Sequence, residues 1–177
     1  MKAKFLLSLF LLLAVSASAQ KAANSLVVQF SDGTQYNMSL AGALFQKDSS
    51  FAIVGSIKGN IAHSFQMQII PTKDKSKEHF KKGYYYFNTM DQMMDFVPGQ
   101  TFSYKLQGFY LQDKGGITEQ EWITETNPED GYIEIEFISD MRVKGRFSFE
   151  LVQRYPTKGA KNLVVGSFDV AIIQSNP

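Results

Sequence analysis

The sequence predicts an all-β fold, a single antiparallel β-sandwich or partly closed β-barrel of about nine to eleven strands with one short helix near 89–97. Three observations carry this reading. The first is strict alternation near the C-terminus: Ile133, Ile135 and Phe137 share one face while Tyr132, Glu134 and Glu136 take the other. It resumes with Val143, Gly145, Phe147, Phe149 and Leu151 set against Arg142, Lys144, Arg146 and Glu150, and a third run groups Gly166, Phe168, Val170 and Ile172. Period two sustained over this length is the mark of half-buried strands. The second observation is close spacing, with Gly- and Asp-containing turns between short apolar runs. The third is a shared Gly-x-Phe-x-apolar pattern at Gly145, Phe147, Phe149 and at Gly166, Phe168, Val170. It marks neighbouring strands in which a glycine leaves room for an aromatic ring opposite. The core expected from this region is Ile133, Ile135, Phe137, Phe147, Phe149, Phe168 and Val170.

From the N-terminus, residues 1–19 read as a secretory signal peptide. Lys2 and Lys4 form the positive region, 5–15 is apolar, and Ala17-Ser18-Ala19 offers a small-x-small cleavage site after Ala19. The mature chain is therefore expected to be secreted or periplasmic, with no transmembrane segment once the leader is removed. Of 18 Lys and Arg, that leader takes Lys2 and Lys4, leaving 16 against 17 Asp and Glu, a net charge of −1. A nearly neutral chain lacks the basic footprint of a nucleic-acid binder. Residues 20–177 form one expected domain, long enough to bury a core. With no cysteine and fifteen Phe (two of them in the leader), eight Tyr and one Trp, that core must hold without disulfides.

Leu26, Val28 and Phe30 open the first strand, and Ser31-Asp32-Gly33 turns it back. The alternation over 34–46 is interrupted at Gly42, which suggests a bulge or bend. Phe51, Ile53, Gly55 and Ile57, then His63, Phe65, Met67 and Ile69 with Gln66 and Gln68 facing out, make a hairpin across 58–60. A lysine-rich loop follows, then the aromatic run 84–87. Met90, Met93, Met94 and Val97 recur at helical spacing between Thr89 and Pro98-Gly99, which predicts the helix. A long strand over 102–111 and a corner at Gly115-Gly116 complete the series.

The leader ending Ala-Ser-Ala-Gln, the runs 51–57 and 83–87, and the closing runs 131–135, 143–149 and 166–170 together resemble an uncharacterised, secreted or lipoprotein-like all-β domain family of Bacteroidota. The resemblance covers most of the mature chain. It implies a β fold and an envelope address and no activity, because the family's function is unknown. Its members often carry a lipid-anchoring cysteine after the leader. This chain has none, so no lipid anchor is implied.

The residues themselves offer few reactive groups. Asp113, Glu119, Glu121, Glu125, Glu129, Asp130, Glu134 and Glu136 crowd one segment, and Glu134 and Glu136 project from one face as a glycosidase pair must. Arg142, Lys144 and Arg146 on the following strand account for them as cross-strand ion pairs instead. Two distant histidines, His63 and His79, supply neither a triad base nor a zinc site. No catalytic residue, metal or cofactor is expected. The candidate ligand or partner surface is Tyr84, Tyr86, Met90, Met93, Met94, Phe96 and Trp122, because flexible methionines and aromatic rings suit varied apolar contacts. A Met-lined helix either covers a cavity or plugs the core, the commoner arrangement. The expected function is non-catalytic binding of an apolar small molecule, a glycan or an envelope protein. A structural or adhesion-type assembly subunit is the alternative, and a carboxylate-dependent glycoside hydrolase the remote one.

Overall fold

The computed structural model of the chain describes residues 24–45, 50–59, 61–71, 80–87, 92–97, 100–124 and 131–173, with 92–97 and 100–103 described as backbone. Among them are twelve strands and no helix. In chain order these are β1 (Ser25–Phe30), β2 (Gln35–Asn37), β3 (Leu40–Phe45), β4 (Phe51–Ile57), β5 (Ile61–Pro71) and β6 (Gly83–Tyr86). Then come β7 (Gln92–Val97), β8 (Gln100–Lys114), β9 (Ile117–Ile123), β10 (Gly131–Ile138), β11 (Arg142–Tyr155) and β12 (Lys161–Ile173). The leader residues 1–19 lie outside the described residues.

The strands make one continuous sheet folded over on itself. A first flank runs β6, β10, β11, β12, β1, β2, and a second runs β3, β4, β5, β8, β9, with β7 added to β8. Two long strands join the flanks at opposite ends. β11 pairs with β10 over Val143–Phe149 and then with β9 beyond Val152. β12 pairs with β1 over Val164–Asp169 and then, in parallel, with β3 at Ile172 and Ile173. The ring closes through β12, β3, β4, β5, β8, β9 and β11, although it is not a regular barrel.

Alternation sends one apolar set inward from each flank, as period two requires. Leu26, Val28, Ile133, Ile135, Phe147, Phe149, Phe168 and Val170 meet Phe51, Ile53, Phe65, Met67, Ile69 and Tyr110. Phe65 stacks on Phe147 at 5.2 Å between ring centroids, 26° between planes, and Phe87 lies 4.8 Å from Phe149. The two Gly-x-Phe runs are partners. Gly145 faces Phe168 and Phe147 faces Gly166 across the β11–β12 ladder. A Cβ on Gly145 would stand 2.6 Å from Phe168 Cζ and collide with the Glu134 carbonyl; one on Gly166 would stand 2.8 Å from Phe147 Cε1.

Four expectations need correction. Residues 92–97 are a strand, not a helix. β9 covers β8 only from Phe109 onward, leaving the β8 backbone from Gln100 to Tyr104 in need of partners, and β7 provides them. A helix of two turns has too few hydrogen bonds to offset its own nucleation, whereas a ladder is templated by the strand beside it. Phe137 is half exposed, at 50%, because a bulge between Ile135 and Phe137 inserts Glu136 and reverses the phase. Ile138 takes the inward place instead, packed on the core. Gly42 is regularly paired with Val54 and makes no bend. It admits Ile173, whose Cδ1 would lie 2.8 Å from a Cβ there, and the chain crosses between flanks earlier, at Met38 and Ser39. Trp122, placed with the surface set, is a core residue, because its β9 position faces inward opposite Tyr110.

The turns follow their sequences. Asp32 Oδ1 accepts the Thr34 N–H at 2.8 Å, and Gly33 takes φ of +89°. Gly115 and Gly116, at φ +60° and +82°, make the two-residue β8–β9 hairpin, whose primed geometry requires positive φ at both positions.

Urea unfolding should rank the faces. Phe147→Ala, which empties a site 1% exposed, should cost about 3–5 kcal/mol. Gly145→Ala should cost about 1–3 kcal/mol, toward the upper end because a backbone oxygen cannot yield as a side chain can. Lys144→Ala, whose ammonium is exposed 3.8 Å from Glu136, should cost less than about 1 kcal/mol. The reverse order would mean that the faces are inverted.

Candidate functional site

β6 is the terminal strand of the first flank, and its alternation splits three consecutive tyrosines. Tyr85 is buried while Tyr84 and Tyr86 stand on the outer face, 38% and 46% exposed. Their rings are nearly parallel, 11° apart with centroids at 5.8 Å, and Tyr132 of β10 lies 5.6 Å from Tyr84. Arg146 Nη2 donates to the Tyr84 hydroxyl at 3.2 Å. The open edge of β6 is partly closed from inside, because the Tyr86 N–H donates to the Tyr104 hydroxyl at 3.0 Å. The Tyr85 hydroxyl accepts from the Lys81 N–H and donates to the Lys81 carbonyl, both at 3.0 Å. Burial pushes the Tyr85 and Tyr104 hydroxyls up to about 12, so both stay protonated at neutral pH. Tyr84 and Tyr86 are therefore together, as the sequence suggested. Trp122 is not with them: it is buried, and its Nε1–H donates to Gln120 Oε1 at 3.1 Å. Met93, Met94 and Phe96 lie on strand β7, and Met90 is outside the described residues.

The paired carboxylates are engaged by cations. Arg146 Nε bonds Glu134 Oε2, a contact that holds the Glu134 carboxyl below its ordinary range. Glu136 lies 3.8 Å from Lys144 and 3.9 Å from Arg146. Arg142 with Asp169 and Lys161 with Glu150 extend these cross-strand pairs over the outer face of the first flank. Among the described residues no group of three or more His, Asp or Glu could hold a metal ion.

The outer face of the second flank is different. Exact cross-strand pairing places Gly42, Val54, Gln66, Phe109 and Ile123 in one row across β3, β4, β5, β8 and β9. The pair Gln68–Gln107 borders the row on one side, and Ser56–Ser64 on the other. Leu40 and Ile173 close the β3 end of a groove of about 570 Å³, and a second depression of about 200 Å³ continues it through Gln66 and Phe109 toward Ile123. None of the described residues lining either is charged. A volume of this size, apolar with a few convergent polar groups, is what a ligand site needs. The sequence reading found Gln66 and Gln68 facing out but missed Phe109, Gln107, Val54 and Ile123. Their signal was present: the outward positions of 51–57 and 64–70 carry amides, hydroxyls and aliphatics where a solvated face carries charges.

At one end of the fold, His63 Nδ1 lies 2.8 Å from the Tyr110 hydroxyl, with the Tyr36 ring 4.3 Å from the imidazole. Burial raises the pKa of Tyr110 and lowers that of His63 below 6.5. A neutral His63 can accept a hydrogen bond from the buried phenol through Nδ1. Its depressed folded pKa means that the unfolded chain binds a proton more readily than the folded one does. Stability due to this pair should be complete above pH 6.5 and be lost as pH falls through the lower folded value. An NMR titration of His63 should give a midpoint below 6.5, and His63→Phe should flatten the stability profile in that window. A midpoint above 6.5 would contradict the desolvation.

No protein-family model matches this chain, and neither a curated protein nor a solved structure does.

Proposed function

We propose that the protein is a non-catalytic binding protein of the cell envelope or exterior that holds an uncharged ligand in the groove on the outer face of its second flank. One observation carries this reading: a groove of about 570 Å³ without a charged lining residue among those described, on a molecule whose other flank is covered in ion pairs. A solvated β surface ordinarily carries Lys and Glu, which keep sheets from sticking, so their exclusion from the lining of this groove needs a reason. Binding is that reason, since an unpaired charge would have to be desolvated beneath the ligand. The envelope address rests on the leader-like residues 1–19. The non-catalytic reading is supported by carboxylates tied up in ion pairs and by a groove without a titratable side chain among its described lining residues.

A second reading keeps Tyr84 and Tyr86 as the contact surface of an adhesion or assembly subunit. It is favoured by their exposure beside Tyr132 on the last strand of the first flank. Tyrosine gives large contact area at low entropic cost.

Saturation-transfer NMR against a panel of uncharged small molecules and oligosaccharides should yield at least one ligand that Phe109→Ala weakens about tenfold, near 1.4 kcal/mol. Gln66→Lys should remove it, and mass spectrometry should recover it chemically unchanged. Turnover of the ligand would overturn the non-catalytic reading. Binding that moves with Tyr84→Ala and ignores Phe109→Ala would transfer the site to the tyrosine face.

A further inference from the structure

The geometry points to a neutral oligosaccharide as the ligand, lying lengthwise across β3, β4, β5, β8 and β9. This inference rests on the groove being the binding site and names what it holds. Four strand spacings separate Gly42 from Ile123, so the row is about 19 Å long, too long for a single sugar ring and suited to a short chain. Its middle is the Gln66 amide, and next to it on β8 stands Phe109, the one aromatic ring in the row. An aromatic face is the surface on which the C–H side of a pyranose packs. Both borders are built from groups that donate and accept at once: the side-chain amides of Gln68 and Gln107, and the hydroxyls of Ser56 and Ser64. Sugar hydroxyls have the same dual character, so each can pair with either border.

The alternatives fit less well. An acyl chain would cover Gln66, Gln68 and Gln107 without bonding them, and each buried amide left unpaired opposes binding. Anionic ligands, nucleic acid included, find no cation among the described lining residues of the groove. Charge complementarity therefore selects an uncharged, hydroxyl-rich occupant. The ion pairs Arg142–Asp169, Lys144–Glu136, Arg146–Glu134 and Lys161–Glu150 lie on the opposite flank, so none of their side chains competes for the groove.

Calorimetry with the full chain decides the matter, using linear hexasaccharides of glucose, mannose, galactose, xylose and N-acetylglucosamine with their disaccharides. The uncharged apolar fluorophore N-phenyl-1-naphthylamine serves as the competing probe. At least one hexasaccharide should bind ten-fold or more tightly than its disaccharide. Phe109→Ala and the double change Gln68→Ala with Gln107→Ala should each weaken it at least ten-fold. Phe109→Tyr should retain it, and Lys144→Ala should leave it unchanged. Circular dichroism identical to the unaltered chain confines these losses to the site. Binding of the fluorophore alone, lost with Phe109→Ala, would overturn the oligosaccharide while leaving the groove as a site. Oligosaccharide binding indifferent to Phe109, Gln68 and Gln107 would overturn both, as would binding of neither probe.

Discussion

The rest of the fold depends on a reciprocal interlock in the β11–β12 ladder, where the Phe147 ring lies over Gly166 and the Phe168 ring lies over Gly145. Each phenylalanine fills the space its cross-strand glycine leaves empty, so a slip of one residue would turn both rings outward. That constraint fixes the register of the two longest neighbouring strands over their whole paired length. Because they are longer than the strands beside them, their ends run past β10 and β1 and recruit β9 and β3. Closure of the ring is thus a consequence of two strands locked in one alignment. The same rings fill the interior: Phe147 reaches Phe65, and Phe149 takes the space above Gly108 in the second flank.

Aromatic and aliphatic side chains from both flanks meet in the core, and the two outer faces differ in character. The first flank carries its charges as cross-strand pairs, Glu134 with Arg146 and Asp169 with Arg142, with Tyr84 and Tyr86 at its margin. Pairs of this kind on an exposed face contribute little stability but keep the surface hydrated and distinct from the core. The second flank omits charge altogether along the row from Gly42 to Ile123. That omission, rather than any reactive group, is the most informative functional feature of the molecule.

Much of this was legible in the chain. Alternation identified the inward faces of β1, β4, β5, β11 and β12, and the paired Gly-x-Phe runs announced that two strands would sit side by side. What misled was local pattern without knowledge of the neighbour. Met90, Met93, Met94 and Val97 have helical spacing, yet 92–97 lies beside an unpaired stretch of β8 and completes it. Phe137 continues the alternation of Ile133 and Ile135 by counting, but the bulge at Glu136 makes the count wrong by one. Trp122 joined the candidate surface as an aromatic ring suited to apolar contact, whereas its β9 position opposite Tyr110 puts it in the core.

The candidate groove was not legible, because its members come from five strands spread over most of the chain. The residues alone determined the all-β class, the faces of most strands and the absence of a recognisable catalytic motif, since each depends on period two or on residue type within a short window. Only the tertiary structure decided which outward residues stand in line. Val54, Gln66, Phe109 and Ile123 become a row through hydrogen-bond register between strands, and register is set by how whole strands pair and not by any one of them.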